Sequence, residues 1–153
     1  MTISSFDGFP VETINFLAAL RTNNNKPWFV EHKSDYESFF ISPAREFAVA
    51  MGARLRELSP GVIADPRVNK SIFRIYRDVR FSHDKTPYKT HLALFFWVGN
   101  GAKLENPGYY FHLDADNLML GGGIYQFSKP LLKAYRNAVI DPALGPALNL
   151  LII

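Results

Sequence analysis

The sequence predicts an α+β protein in which a helical N-terminal third packs on a mainly antiparallel sheet of at least four strands, followed by a C-terminal helix. Near residue 70 the hydrophobic pattern changes from helical spacing to the two-residue alternation of strands. The expected strands are joined by short links, which suits an antiparallel meander. The chain has 153 residues, 48% of them hydrophobic and 20% charged. This composition fits a single domain over residues 1–153.

Three helices are expected before residue 60. The first lies in FPVETINFLAALRTNNN, with Pro10 near its first turn and an apolar stripe at Ile14, Leu17 and Leu20. The asparagines at 23–25 end it, because Asn tolerates left-handed conformations and competes for backbone hydrogen bonds. A shorter helix follows in KPWFVEHKSDYESFF. The third lies in SPAREFAVAMGARLREL, with Ser42 as N-cap and Pro43 at the first helical position.

The first strand is expected in SIFRIYRDVRF, which alternates and is rich in β-branched and aromatic residues. One face would carry Phe73, Ile75, Val79 and Phe81, and the other Arg74, Tyr76, Asp78 and Arg80. Arg77 is a cation on the apolar face, so we expect it to be substantially buried and bonded to an acidic side chain or to carbonyls.

The remaining elements follow in order. THLALFFWVG is almost continuously apolar and predicts a central strand. GYYFHLD and NLMLGGGIY predict two more strands, joined by a turn at 114–117. Ser128 is expected to cap a helix in KPLLKAYRNAV. The chain ends on the apolar run GPALNLLII, which is typical of a truncated chain or fragment.

Composition excludes several classes of function. The chain contains no cysteine, which excludes disulfides, thiol catalysis and cysteine-ligated metals. Its first ten residues lack the pattern of a signal peptide, and no apolar run approaches the ~18 residues needed to cross a membrane. We therefore expect a cytoplasmic protein without a membrane partner, a metal or another cofactor.

The net charge of +3 is too small to mark the whole chain as a nucleic-acid binder. Between residues 68 and 91, however, six Lys or Arg face two Asp, a local net charge of +4. These cations are Lys70, Arg74, Arg77, Arg80, Lys85 and Lys89. Strand alternation would place Arg74 and Arg80 on one face, and arginine is suited to bidentate contact with phosphate or carboxylate. The segment therefore predicts the wall of an anion-binding pocket.

The predicted ligand is a small molecule that bears a phosphate or a carboxylate. Its binding residues would be Arg74, Arg77, Arg80, Lys85 and Lys89, with Gly121, Gly122 and Gly123 bordering the pocket. The glycines leave that part of the sheet bare, although glycines in a strand also mark bulges or close backbone approach. If the protein is an enzyme, Asp78 and Tyr88 are the candidate proton-transfer groups, but no nucleophile–base pair is visible.

Two other functions stay open. In the first, the arginine face would track the phosphates of a single-stranded nucleic acid while Tyr76, Tyr88 or Trp28 stack on bases. In the second, the Arg–Asp ladder only stabilises the sheet of a structural or interaction domain. Cations that converge in a concavity would favour the small-molecule function. Cations spread over a convex face would favour nucleic acid, and cations paired internally the structural role.

Other groups of polar residues give weaker evidence of a functional site. His112-x-Asp114 has the spacing that begins a facial metal triad, but no further His follows, so it indicates an ordinary strand histidine and a turn aspartate. Ser82-His83-Asp84 contains the residue types of a catalytic triad, although adjacent residues do not form that relay. The run at 121–123 fits neither the dinucleotide-binding nor the P-loop pattern.

Several motifs together resemble the bacterial and fungal family called domain of unknown function 2461. They are NNNKPWF, FRIYRDVRFSHDKTPYKTHLALFF, GYYFHLD, GGGIY and LLKAYRNAVIDP, in this order. The resemblance extends from about residue 6 to about residue 148. It implies a single α+β domain with no established activity. It also implies that a basic C-terminal segment is missing, and that His83 stands where a small or basic residue is expected.

Overall fold

The N-terminal helices cover one face of the protein's sheet. The structure is a computed structural model and describes residues 6–150; the first five residues of the N-terminal run and the last three of the apolar end lie outside the described part. Helix α1 (Val11–Thr22) follows Pro10 and buries the stripe Thr13, Phe16, Leu17 and Leu20. Helix α2 (Lys26–Glu31) begins after Asn25, whose side chain accepts a hydrogen bond from the Trp28 amide at 3.0 Å. The asparagine run thus separates two helices, as expected.

The next helices are continuous where the sequence indicated a break. Helix α3 (Lys33–Asp35) leads into a π-helical segment (Tyr36–Ile41) and then directly into α4 (Ser42–Leu58). The prediction that Ser42 is an N-cap is therefore wrong. Ile41 keeps helical angles, the Ser42 amide already donates to the Glu37 carbonyl, and the Ser42 hydroxyl donates to Glu46 at 3.3 Å.

Four antiparallel strands form the sheet, in the order β1-β2-β3-β4. They are β1 (Val62–Ile63), β2 (His91–Val98), β3 (Gly108–Asp114) and β4 (Leu118–Gly123). The α+β class with an antiparallel sheet is confirmed. Alternate residues of β2 and β3 are buried in the core shared with the helices: Leu92, Leu94, Phe96, Phe111 and Leu113.

The segment at 71–81 is not a strand of this sheet, so that expectation is wrong. It touches β2 only at its start, where the Phe73 amide donates to the Ala93 carbonyl and the Phe95 amide to the Ser71 carbonyl. It then pairs loosely with its own return arm, through the Arg77 amide to the Pro87 carbonyl. Pro87 has no N–H, so a regular ladder cannot continue there. The unpredicted strand β1 occupies the neighbouring part of the β2 edge.

Because residues 71–81 do not form a regular strand, several of their side chains do not lie on the faces that the sequence predicted. Ile75 is buried, but Phe81 is 94% exposed and does not reach the core. Arg77 is only partly buried, with 27% of its side chain exposed, and it donates hydrogen bonds to Asp84 and to the Thr86 carbonyl and hydroxyl. Arg77 therefore has the expected acidic and carbonyl partners, but its side chain is more exposed to solvent than a core position would allow.

The C-terminal part follows the predicted order. Asp114 Oδ1 accepts hydrogen bonds from the amides of Asp116 and Asn117, at 2.8 and 2.7 Å, which closes the turn between β3 and β4. Helix α5 (Lys129–Ile140) begins after Ser128, as expected, but the prediction that the Ser128 side chain caps it is wrong, because that side chain makes no capping hydrogen bond. Helix α6 (Leu144–Asn149) packs against α5. Within residues 6–150 no helix has the length and apolar character needed to cross a membrane.

Candidate functional site

A cavity of about 590 Å³ lies over the sheet, on the face turned away from the N-terminal helices. Strand alternation determines this position. On β2, Leu92 and Leu94 point into the core shared with the helices. The alternate residues Ala93 and Phe95 point to the other face and line the cavity. Cavities of this size are typical of small-molecule sites in proteins, which range over about 300–1,000 Å³.

Aromatic rings and bare backbone form most of the cavity wall. The rings belong to Phe73, Phe95, Tyr110 and Tyr125, and the bare backbone to Gly108, Gly121, Gly122 and Gly123. A Cβ atom on Gly121 would contact only the Tyr110 side chain, at 3.7 Å, so its absence leaves open space above β4. Flat aromatic walls over an open glycine surface suit a ligand with a flat, apolar body.

Two lysines lie against the Phe73 ring, and one of them, Lys89, lines the cavity. Lys89 Nζ lies 5.5 Å from the centre of the Phe73 ring; Lys103 Nζ lies 4.2 Å from the same ring. Burial, and then the nearby Arg74, lowers the pKa of Lys89. Burial, and then Lys89 and Lys70, lowers the pKa of Lys103. Among residues 6–150, neither lysine has an ion-pair partner; Lys103 donates to the Lys70 carbonyl. Two partly desolvated like charges favour an anion beside them.

A row of polar side chains on β3 adjoins the same cavity. Tyr110, which lines the cavity, has its hydroxyl 3.1 Å from His112 Nδ1, and His112 Nε2 lies 3.5 Å from Asp114 Oδ2. The imidazole of His91 stacks on that of His112 with 4.2 Å between ring centres. Burial first, then His112 and Lys89, lowers the pKa of His91 to about 4.

The sequence-predicted binding residues divide into two groups. Lys89, Gly121, Gly122 and Gly123 line the cavity, but Arg74, Arg77, Arg80 and Lys85 do not. Arg80 forms a salt bridge with Asp78 at 2.7 Å, and Lys85 Nζ donates to the Val79 carbonyl at 2.9 Å. Arg74 is exposed and acts on the cavity only through its charge beside Lys89. Arg74, Arg80 and Lys85 therefore lie outside the cavity that the glycines border, because the segment folds back on itself.

The two candidate proton-transfer groups also lie elsewhere. Asp78 is exposed, and its hydrogen bonds from Arg80 lower its pKa to about 2. Tyr88 is buried and stacks on Phe29, with 4.1 Å between ring centres. Burial raises the pKa of Tyr88. Neither side chain lines the cavity.

Sequence reasoning missed Lys103, Phe73 as a wall residue, and the pairing of Tyr110 with His112. The alternating pattern YFHLD of β3 did carry a signal for the last of these, since it places Tyr110, His112 and Asp114 on one face of a strand. No comparable signal marks Lys103, which lies in a short 3₁₀ turn (Lys103–Glu105) outside the basic segment. Among the described residues, no three His, Asp or Glu are placed to hold a metal ion.

An α+β fold with a ligand-sized cavity on the open face of an antiparallel sheet defines the structural class of this protein. The chain belongs to the family of conserved hypothetical proteins DUF2461, whose family model matches residues 12–146. Neither the curated proteins nor the solved structures gave a significant match to the chain.

Proposed function

We propose that this protein binds a small molecule with a flat apolar body and one anionic group, a phosphate or a carboxylate. The observation that carries the proposal is the pair Lys89 and Lys103 on the Phe73 ring at the cavity, with no acidic partner in the described chain. The body of the ligand would lie between the aromatic walls. Its anion would contact Lys89, with Lys103 close by and the charge of Arg74 in support.

The cationic segment itself supports this function less than the cavity does. Arg77 and Arg80 form salt bridges with Asp84 and Asp78, so their charges are balanced by side chains of the same segment. Only the last lysine of the segment reaches a concavity. Of the cations in the basic segment, the proposed binding site therefore includes Lys89 as its main cation and leaves out the others that the sequence suggested. A cytoplasmic location is part of the same proposal and can be checked by cell fractionation.

The charge requirement is tested with two probes that share an apolar body. The anionic probe is 8-anilinonaphthalene-1-sulfonate and the neutral one is N-phenyl-1-naphthylamine, both followed by fluorescence. One charge-assisted contact contributes roughly 1.5–3 kcal/mol. Lys89→Met should therefore weaken the sulfonate about tenfold or more and leave the neutral probe almost unchanged. Lys103→Met should have a smaller effect in the same direction.

Lys85→Met is the matched control, because Lys85 lies in the same basic segment but bonds to the Val79 carbonyl away from the cavity. An equal loss of affinity for the sulfonate probe in the Lys85 and Lys89 variants would show that the charge effect is not local. That result would contradict the proposed binding site. Phosphate and short single-stranded oligonucleotides belong in the same titration. If only oligonucleotides bind, with affinity falling steeply as salt rises, the nucleic-acid function replaces this one.

The cavity requirement is tested on β4. Gly121→Val would place a branched side chain beside Tyr110 in the cavity, since its Cβ meets only ordinary contacts there. Gly122 contributes only backbone to the cavity wall, and strand alternation directs the side chain of Gly122→Val to the opposite face of the sheet, where its Cβ meets only an ordinary contact. We expect Gly121→Val to abolish most binding of both probes and Gly122→Val to preserve it. Similar affinities for the two variants would contradict binding in this cavity.

A further inference from the structure

We propose that Tyr110, His112 and Asp114 form a proton relay, which makes the cavity a site of acid–base chemistry with Tyr110 as its catalytic residue. The inference builds on the proposed function, because it assigns chemistry to a ligand bound in the same cavity. Tyr110 lines the cavity, and its hydroxyl lies 3.1 Å from His112 Nδ1. On the other side of the imidazole, His112 Nε2 lies 3.5 Å from Asp114 Oδ2.

The order of the three groups determines the direction of proton transfer. The carboxylate of Asp114 faces His112 Nε2 and favours a proton on that nitrogen. His112 Nδ1 then carries a lone pair, which accepts the hydrogen bond from the Tyr110 hydroxyl. The phenol oxygen can therefore accept a hydrogen bond or a proton from a ligand in the cavity, and the imidazole of His112 can take up the phenol proton.

The surroundings are suited to a transient positive charge on His112. Its side chain is only 18% exposed and that of Asp114 is 28% exposed, so the carboxylate lies largely out of solvent beside the imidazole. His91, stacked on His112 from β2, has its pKa lowered to about 4 and is neutral near pH 7. The charged side chains that act on the relay include Asp114, which stabilises an imidazolium, and Lys89, which acts on His91. Arg21, paired with Asp116 in the same turn, also interacts with Asp114. Tyr125 lines the same cavity, and burial first, then Tyr125, raises the pKa of Tyr110.

The relay step balances without electrons or a cofactor. An acidic O–H, N–H or activated C–H group of the ligand gives its proton to the Tyr110 oxygen as the phenol proton passes to His112 Nδ1. The reverse transfer returns a proton to the product. The substrate class is therefore an anionic small molecule with one acidic hydrogen near its apolar body. Such proton transfer by a positioned group contributes about 10²–10⁴-fold to a rate.

Phenylmethanesulfonyl fluoride tests the relay without knowledge of the substrate. Attack by the Tyr110 oxygen forms an O–S bond and breaks the S–F bond; fluoride leaves and the phenol proton passes to His112. Peptide mass spectrometry over time gives the rate at each tyrosine in one sample. We expect Tyr110 to react at least about tenfold faster than Tyr125 and Tyr135, which are exposed and have no imidazole partner in the structure.

Three variants separate the relay from a structural role. His112→Gln keeps a hydrogen-bond acceptor but cannot take a proton, so Tyr110 should lose its advantage while Tyr135 reacts as before. Asp114→Asn keeps the oxygen that closes the β3–β4 turn and removes the charge, so the Tyr110 rate should fall by a smaller factor. Tyr110→Phe should remove the fast adduct altogether.

Equal reactivity of Tyr110 and Tyr135 in the native protein, or an unchanged Tyr110 rate in His112→Gln, would overturn the relay. Circular dichroism and the midpoint of thermal unfolding show that each variant is folded, and unchanged labelling of Tyr135 shows that the reagent acts equally in all samples. Lys85→Met belongs in the same series as a control, since Lys85 bonds to the Val79 carbonyl away from the cavity and its replacement should leave the Tyr110 rate unchanged. A fast Tyr110 in a protein that binds no anionic probe would leave the relay standing and refute the proposed function alone.

Discussion

Arg77 Nη1 lies 2.5 Å from Asp84 Oδ2, across the loop that the cationic segment makes with its return arm. Hydrogen bonds from the Thr86 amide, then from Arg77, lower the pKa of Asp84 to about 2. The same guanidinium also bonds to the Thr86 carbonyl. The pair therefore closes the loop from which Lys89 leads into β2, and it positions the main cation of the cavity.

Removal of the Arg77 guanidinium should destabilise the protein. Arg77→Met leaves the Thr86 carbonyl and the Asp84 carboxylate without their partner, and a lost hydrogen bond of this kind costs roughly 1 kcal/mol. For a chain of this size we expect the midpoint of thermal unfolding to fall by about 2–4 °C. Arg80→Met is the control, because its salt bridge with Asp78 is exposed and should change the midpoint little. Equal midpoints for Arg77→Met and the native protein would contradict the structural role of this pair.

The two phenylalanines 47 and 81 should differ sharply in their effect on stability. Phe47 is buried, with its ring centre 4.5 Å from that of Phe111 and 5.3 Å from that of Phe9. Phe47→Ala should cost about 3–5 kcal/mol in urea unfolding, because it leaves a cavity in the core. Phe81 is 94% exposed, so Phe81→Ala should stay within about 0.5 kcal/mol of the native protein. A large loss in the Phe81 variant would restore the core strand that the sequence suggested at 71–81.

His91 should make the protein sensitive to mild acid. The pKa of His91 is about 4 in the folded protein, mainly through burial, against 6.5 for an ordinary histidine. Between these values the unfolded chain binds a proton at residue 91 that the folded protein does not, so lowering the pH favours unfolding. Above about pH 7 the group is neutral in both states and contributes no pH dependence.

We therefore expect unfolding free energies to fall from pH 6.5 to pH 5 and to fall less in His91→Gln. Urea unfolding at several pH values measures this difference. His83→Gln is the control, since His83 is exposed in the loop and its replacement should leave the slope as it was. The same slope in the His91 variant and the native protein would mean that another group causes the acid sensitivity.

The sequence by itself determined the elements whose signals are local. The period of α1, the asparagines that end it, the alternation of β3 and the Asp114 turn all depend on neighbours within a few residues. For this reason the α+β class, the antiparallel sheet and the glycine run on β4 could be predicted without knowledge of the tertiary structure. The resemblance to the family was visible at the same level, because it depends on short motifs in a fixed order.

Only the tertiary structure decided which of these residues meet. Whether 71–81 joins the sheet depends on competition between β2 and its own return arm, where Pro87 cannot extend a ladder. The cavity brings together Phe73, Lys89, Tyr110 and Tyr125 because the helices cover the other face of the sheet. Lys103 comes beside Lys89 through a turn more than ten residues away, which no local pattern encodes. Charge clustering in the chain indicated where cations are abundant, whereas folding determined which of them lack partners.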